Sequence, residues 1–305
     1  MKQTVRTPEN RFENLEDYDF QSKYINVEDG LRLHYLDEGN ENKPTVLLLH
    51  GEPSWSYLYR KMIPILSNDF RVIAPDLIGF GKSDKFVNRE DYTYQNHIDW
   101  ISTFIQKLDL KNITLFCQDW GGLIGLRIIT EMNNRFDMVV ASNTTLPTGK
   151  IPMPESFIQW REYSQHSSGF NIGKVIDMGT VQPLSEKVYE AYNAPFPSED
   201  YKAGARIFPT LVPINQDDPE SIKNLKAWEK LKSWNKPFLT IFGDADNIMI
   251  GAEKALQKLV PGANGQNHKI INAGHFIQEE KGEELAELII EFYKKNTTAN
   301  NVLCL

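Results

Sequence analysis

Residues 113–122 constrain this chain more than any other stretch. Residues 113–117, Ile-Thr-Leu-Phe-Cys, form a short apolar run of strand type, and from Leu123 to Glu131 apolar residues recur at helical spacing. Between them stands Gln118-Asp119-Trp120-Gly121-Gly122. A strand that becomes a helix within so few residues must turn sharply, and the small residues Cys117, Gly121 and Gly122 leave room for that turn. This is the pattern of a nucleophile elbow, which lifts one side chain above the end of a strand. The usual elbow carries serine, whereas this one carries Asp119. An aspartate before a helix is most often a plain N-cap. A cap, however, needs neither a buried strand before it nor paired glycines after it. The positive end of the following helix also favours a carboxylate at this place.

An elbow belongs to a parallel sheet, and the rest of the chain supplies one. Residues 24–27 and 31–35 flank Glu28-Asp29-Gly30 and read as a hairpin, with Asp-Gly providing the positive φ of a tight turn. Residues 45–49 are continuously apolar, as in a strand buried on both faces. Further strands are predicted at 71–74, 138–141, 238–242 and 268–271, and helices at 57–66, 94–108, 123–131, 252–259 and 283–293. Alternating strands and helices imply an α/β fold, a mostly parallel central sheet flanked by helices. The alternation stops after Asn143. Residues 146–212 are rich in Pro, Gly and aromatics and contain no strand-like run. The expected division is therefore a main domain, 1–145 and 213–305, with a helical cap at 146–212. Such an insertion would sit over the C-terminal edge of the sheet, where open α/β sheets place their ligands.

Bulk properties remove several function classes. The 305 residues are 41% hydrophobic, enough for a full core. A net charge of -8 argues against nucleic-acid binding, which needs clustered Lys and Arg. Cys117 and Cys304 make no disulfide framework, and no Cys/His cluster has zinc spacing, so neither metal nor organic cofactor is expected. The N-terminus lacks the apolar core of a signal peptide, and no apolar run reaches transmembrane length. The expectation is a cytoplasmic protein without a membrane partner, with a mobile tail from 296 to 305.

Other segments carry chemistry. His50-Gly51-Glu52-Pro53 ends the 45–49 strand, where hydrolases keep an oxyanion loop. Residues 76–83, Asp-Leu-Ile-Gly-Phe-Gly-Lys-Ser, look superficially like a phosphate loop, but the required first glycine falls on Asp76. Ala273-Gly274-His275-Phe276 follows the last strand, which makes His275 the candidate base. The acid should fall between nucleophile and histidine in chain order. Asn143 cannot serve, and either Asp244 or Asp246 can.

These residues together resemble the haloalkane dehalogenases. The likeness spans roughly residues 20–295 and rests on several segments. They are the run from His50 to Arg60, Asp76 to Asp84, Gln118-Asp119-Trp120-Gly121-Gly122, Ala194-Pro195-Phe196-Pro197 and Gly274-His275-Phe276. The resemblance implies an α/β-hydrolase fold and hydrolysis of a haloalkane to a primary alcohol, halide and proton. It implies Asp119 as nucleophile and His275 as base, and the motif of the subgroup it matches places the acid on Asp246. Trp120 would bind the halide. That subgroup takes a second tryptophan from the cap, and Trp160 is the sole tryptophan between 146 and 212. The backbone N–H groups of Glu52 and Trp120 would form the oxyanion hole. The partners would be a small halogenated aliphatic substrate, water and a halide ion, and the protein is expected to be a monomer.

Chemistry explains these residue types. A halogen-bearing carbon is saturated, so serine attack would leave an ether with no carbonyl for water. Aspartate leaves an ester that water can cleave. An indole offers one N–H donor and no acceptor, which suits a departing halide. Rival readings are an epoxide hydrolase using cap tyrosines (Tyr163, Tyr189, Tyr192, Tyr201), a fluoroacetate dehalogenase needing paired arginines, a luciferase-like oxygenase, and a ligand receptor without turnover.

Overall fold

The computed structural model describes residues 2–302, with side chains through residue 298. An eight-stranded sheet forms its centre. In chain order the strands are β1 (Lys23–Glu28), β2 (Leu31–Glu38), β3 (Thr45–Leu49), β4 (Arg71–Pro75), β5 (Ile113–Gln118), β6 (Phe136–Ser142), β7 (Phe238–Gly243) and β8 (Lys269–Ile271). Across the sheet they run β1-β2-β4-β3-β5-β6-β7-β8. The hairpin β1–β2 and the β2–β4 pair are antiparallel, and every other pair is parallel. β3, β5 and β7 are buried along their whole length, as their continuous apolar sequences require.

Register is what positions the site. Leu49 lies opposite Cys117, and Gln118 opposite Ser142, so the loops leaving β3, β5 and β6 emerge side by side. Gly243 pairs with Ile271, which brings the loops after β7 and β8 together as well.

The main helices are α1 (Tyr94–Lys107), α2 (Trp120–Glu131), α3 (Glu155–His166), α4 (Ile172–Met178), α5 (Glu186–Asn193), α6 (Ala203–Leu211), α7 (Pro219–Leu231), α8 (Glu253–Leu259) and α9 (Ile277–Val302). The Thr93 hydroxyl accepts from Asn96 N–H to cap α1, whose Ile98, Ile101, Phe104 and Ile105 are buried. α1 packs on α2, and α2 on α7. α9 packs on a one-turn helix, Ile63–Leu66, and on β6 and β7. Between β6 and β7, α3 packs on α6 and α4 on α5; no strand occurs among the described residues of that segment.

Several local readings differ from the structure, and two elements were not foreseen. Residues 57–66 are not one helix but a 3-10 turn, Ser56–Tyr59, followed by the single turn Ile63–Leu66. Pro64 is the reason: proline is accommodated in a first helical turn and breaks an interior. Helix α7 was not foreseen. Its buried face is Ser221, Asn224, Ala227, Trp228 and Leu231, so the helical period is hidden by small polar residues. The strand Thr4–Val5, paired with Lys85–Phe86, is too short to leave a pattern. The tail expected to be mobile is helical as far as Val302, and the rest of it, with Cys304, lies outside the described residues. Among the described residues no helix is long and apolar enough to cross a membrane.

Candidate active site

Asp119 sits on the elbow with φ 50 and ψ -124, a backbone conformation that costs a non-glycine residue free energy. Crowding explains why small residues surround it. A Cβ on Gly121 would overlap the Leu49 carbonyl, and one on Gly122 would overlap the Thr144 side chain. Thr144 Oγ1 donates to the Asp119 carbonyl at 2.8 Å, and Asp119 N–H donates to the Asn143 carbonyl at 3.1 Å. The Asp119 side chain makes no capping bond to α2. It points away from the helix, so the plain N-cap reading fails. Instead, Asp119 Oδ1 accepts from Glu52 N–H at 2.8 Å, which ties the loop after β3 to the elbow.

The other oxygen, Oδ2, lies 3.6 Å from His275 Nε2. His275 Nδ1 meets Asp246 Oδ2 at 2.8 Å. Asp246 is buried, and its Oδ1 accepts from the N–H groups of Ile248 and Met249 at 2.9 and 3.1 Å. Asp244 turns outward to Asn272. Of the two carboxylates left open by residue order, Asp246 is therefore the one on the imidazole.

Electrostatics follow from these contacts. Burial alone would raise the Asp246 pKa, but the His275 ring and two backbone donors outweigh it and hold the group below its ordinary value. Burial disfavours charge on His275, yet the carboxylates of Asp246 and Asp119 raise its pKa well above the ordinary histidine value. Gln118 Nε2, aimed by a 3.1 Å bond to the His275 carbonyl, lies 3.2 Å from His275 Nε2. Glu52 is buried, and burial with the Asp119 charge pushes its carboxyl well above the ordinary value. The Trp160 indole, in contact with that carboxyl, works against this shift, while Glu52 Oε1 has no hydrogen-bond partner.

Further out, His50 Nε2 accepts from Leu77 N–H at 2.9 Å while its Nδ1 donates to the Gly51 carbonyl at 2.9 Å, which fixes a neutral ring at the start of the loop after β3. The 76–83 segment holds no phosphate-loop geometry. Asp76 instead gathers Ser56 N–H, Lys82 N–H and His34 Nδ1 at 2.7–2.8 Å.

A cavity of about 780 Å³ opens above Asp119. Trp120 and Trp160 both line it, with Phe157 and Val175 among its apolar walls. Trp120 is wedged edge-on between Tyr94 and Phe208, at centroid distances of 4.9 and 4.6 Å, and Trp160 stacks on Phe170 at 5.8 Å. No lysine or arginine lines the cavity among the described residues, so nothing there matches a carboxylate-bearing substrate. Of Tyr163, Tyr189, Tyr192 and Tyr201, only Tyr163 reaches it, short of the tyrosine pair an epoxide hydrolase would use.

Comparison with known proteins agrees with this geometry. The α/β-hydrolase fold family matches residues 44–282. The chain is 54% identical over 298 residues to a haloalkane dehalogenase of Psychrobacter cryohalolentis, covering 96% of this chain and 98% of that protein. It is 51% identical to one from Mycolicibacterium paratuberculosis, covering 94% and 97% respectively. The solved haloalkane dehalogenase of Paraglaciecola agarilytica, described as tetrameric, superposes with a TM-score of 0.87 at 38% identity, covering 93% of this chain and 97% of that one. The chain belongs to the haloalkane dehalogenase family.

In this dehalogenase-family site, residue types alone left two contributors unseen. Asn143, dismissed only as an acid, binds three loops at once. Its Nδ2 donates to the Gly274 carbonyl at 2.9 Å, its Oδ1 accepts from Gly243 N–H at 2.8 Å, and its carbonyl holds Asp119. Gln118 was noted only as part of the elbow segment, with no role of its own. Its place beside the nucleophile, at the C-terminal end of a central strand, was the available signal.

Proposed function

We propose that the protein hydrolyses carbon–halogen bonds of neutral haloalkanes through an ester on Asp119. The observation that carries this reading is the Asp119 carboxylate at the floor of an apolar, tryptophan-bearing cavity, with His275 Nε2 3.6 Å from one oxygen and Glu52 N–H bound to the other. Asp119 Oδ2 attacks the halogen-bearing carbon, the carbon–oxygen bond forms as the carbon–halogen bond breaks, and halide leaves toward the indole N–H groups of Trp120 and Trp160. Burial and the Asp119 charge favour the neutral form of Glu52, which lessens the negative charge opposing the halide.

Ester formation also prepares the base. It removes the Asp119 charge that favours the protonated ring, so the ring's pKa falls and the neutral form that can take a proton is favoured when a base is needed. His275 then takes a proton from water, and the resulting hydroxide adds to the ester carbonyl. The oxyanion develops on Oδ1, where Glu52 N–H already points and where Trp120 N–H, free in the first turn of α2, completes the hole. One such donor contributes about 3 kcal/mol. Collapse breaks the bond between the former ester carbonyl carbon and the alkoxyl oxygen, which takes the proton of the new carboxyl and leaves as the alcohol; the Asp119 carboxylate is restored and His275 gives up its proton to solvent. Asp246 keeps the imidazole in the required tautomer and stabilises its cation.

Residues 146–212 act in this reading as the cap, the protein works as a cytoplasmic monomer, and no metal or organic cofactor takes part. Halide and proton release from chloro-, bromo- and iodoalkanes tests the whole scheme; silence of the wild-type protein across that panel would refute it.

A further inference from the structure

His275 is held from two sides, and the two sides belong to different parts of the molecule. The carbonyls of its loop face the sheet: Asn143 Nδ2 donates to the Gly274 carbonyl at 2.9 Å, and Gln118 Nε2 donates to the His275 carbonyl at 3.1 Å. The N–H groups of the same loop face the segment between α4 and α5. His275 N–H and Phe276 N–H both donate to the Gly179 carbonyl, at 2.7 and 3.3 Å. Gly274 N–H donates to Glu280 Oε2 at 2.7 Å, and Glu280 Oε1 accepts from Val181 and Gln182 N–H at 2.8 and 3.3 Å. The two backbones touch, since a Cβ on Gly274 would overlap the Gly179 carbonyl.

Glu280 is well placed for such a link. It ends the first turn of α9, which departs from helical geometry at the next residue, Lys281. That turn is anchored next door by Glu279, which takes Arg60 through two nitrogens at 2.6 and 2.7 Å and Tyr192 Oη at 2.5 Å. The carboxylate of Glu280 thus stands on a fixed base and reaches both loops.

We propose that Glu280 is a positioning residue for His275, one carboxylate oxygen holding the base loop and the other holding residues 181–182 of the helical insertion, so that the insertion sets the attitude of the base. This rests on the reading of His275 as the base of ester hydrolysis. The chemistry needs both oxygens as acceptors. Glutamine supplies only one and turns its NH2 toward an N–H, so the nearly isosteric Glu280→Gln should fail in the same way as Glu280→Ala. Asp119 attacks without His275, so formation of the ester should be spared while its decay suffers. A displacement of about 1 Å can cost on the order of a hundredfold in rate.

Rapid-quench mass spectrometry with 1,2-dibromoethane separates the two steps. Both variants should form the Asp119 ester within about twofold of the wild-type rate and lose it at least about tenfold more slowly. If Glu280→Ala does not fold, Glu280→Gln carries the test. Decay within twofold of wild type, or an equal fall in both steps by a folded variant, would overturn the proposal. Absence of any ester on wild-type Asp119 would instead sink the functional reading on which it stands.

Discussion

The loops at the C-terminal edge of the sheet and the helical segment above them are built on different principles. The loops leave the buried strands β3, β5 and β7 and the half-exposed β8, and carry Glu52, Asp119, Asp246 and His275, each fixed by backbone or side-chain bonds of 3.1 Å or less. The helical segment carries Trp160, Phe157 and Val175 on short helices, and these face the cavity through apolar contact. Groups that exchange protons or form bonds must be placed within tenths of an ångström, which a sheet edge supplies. Groups that only exclude water and shape a cavity tolerate more freedom. Substitutions on the sheet side should therefore abolish chemistry, and those on the helical side should retune it.

The sharpest way to break this contrast is to remove the nucleophile. Asp119→Ala should lose at least about 10^4-fold in kcat, as nucleophile deletions generally do. Its counterpart, His275→Phe, should form the ester and then stall, so mass spectrometry after exposure to 1,2-dibromoethane should find an alkyl group on Asp119; alkylation at another residue would move the nucleophile. Asp246→Asn should lower kcat on the order of 10^3- to 10^4-fold through loss of the correct tautomer, while Asp244→Asn changes it by less than about twofold. The reverse ranking would reassign the acid.

On the helical side the effects should shrink. Trp160→Phe removes one donor to a charged leaving group, about 1.5–3 kcal/mol, so ester formation, in which the halide departs, should slow roughly ten- to hundredfold while decay of the ester stays near the wild-type rate in rapid-quench mass spectrometry. Titration offers an intermediate probe. A charged His275 cannot take a proton from water, so a hydrolysis-limited kcat should fall about tenfold per pH unit below the pKa of the ring in the ester. Because Asp119 raises the pKa only while it is charged, that limb should lie at lower pH than the resting ring's own titration by NMR. Coincidence of the two would mean that Asp119 contributes little. Smallest of all, Val175→Ala should shift the relative kcat/KM of long and short haloalkanes by about tenfold or less, since a cavity wall discriminates by roughly 1–3 kcal/mol per methylene.

Legibility followed the same divide. Strands β3, β5 and β7 and the elbow were readable because continuous apolar runs and tight turns are local demands. Helix α7 was not, because Ser221 and Asn224 stand where its buried face would announce itself with apolar residues. Asp119 and His275 stood out by place and chain order. The choice between Asp244 and Asp246 came from resemblance, and the residues alone left it open. Asn143 stayed hidden because its backbone partners lie far away in the chain, and Glu280 because one of the two segments it joins, at Val181, is equally remote.

What the amino-acid sequence determined by itself is the α/β alternation, the aspartate on an elbow that normally holds serine, and the helical interruption after β6. Each is a matter of residue types within a few positions of one another. Only the tertiary structure decided which carboxylate meets His275 and how the loop around that histidine is suspended between sheet and helical segment. The structure also placed the Glu52 carboxyl in burial beside Asp119. Those outcomes depend on strand register and loop contact between residues 29 to 157 positions apart, distances at which no local pattern of side chains carries information.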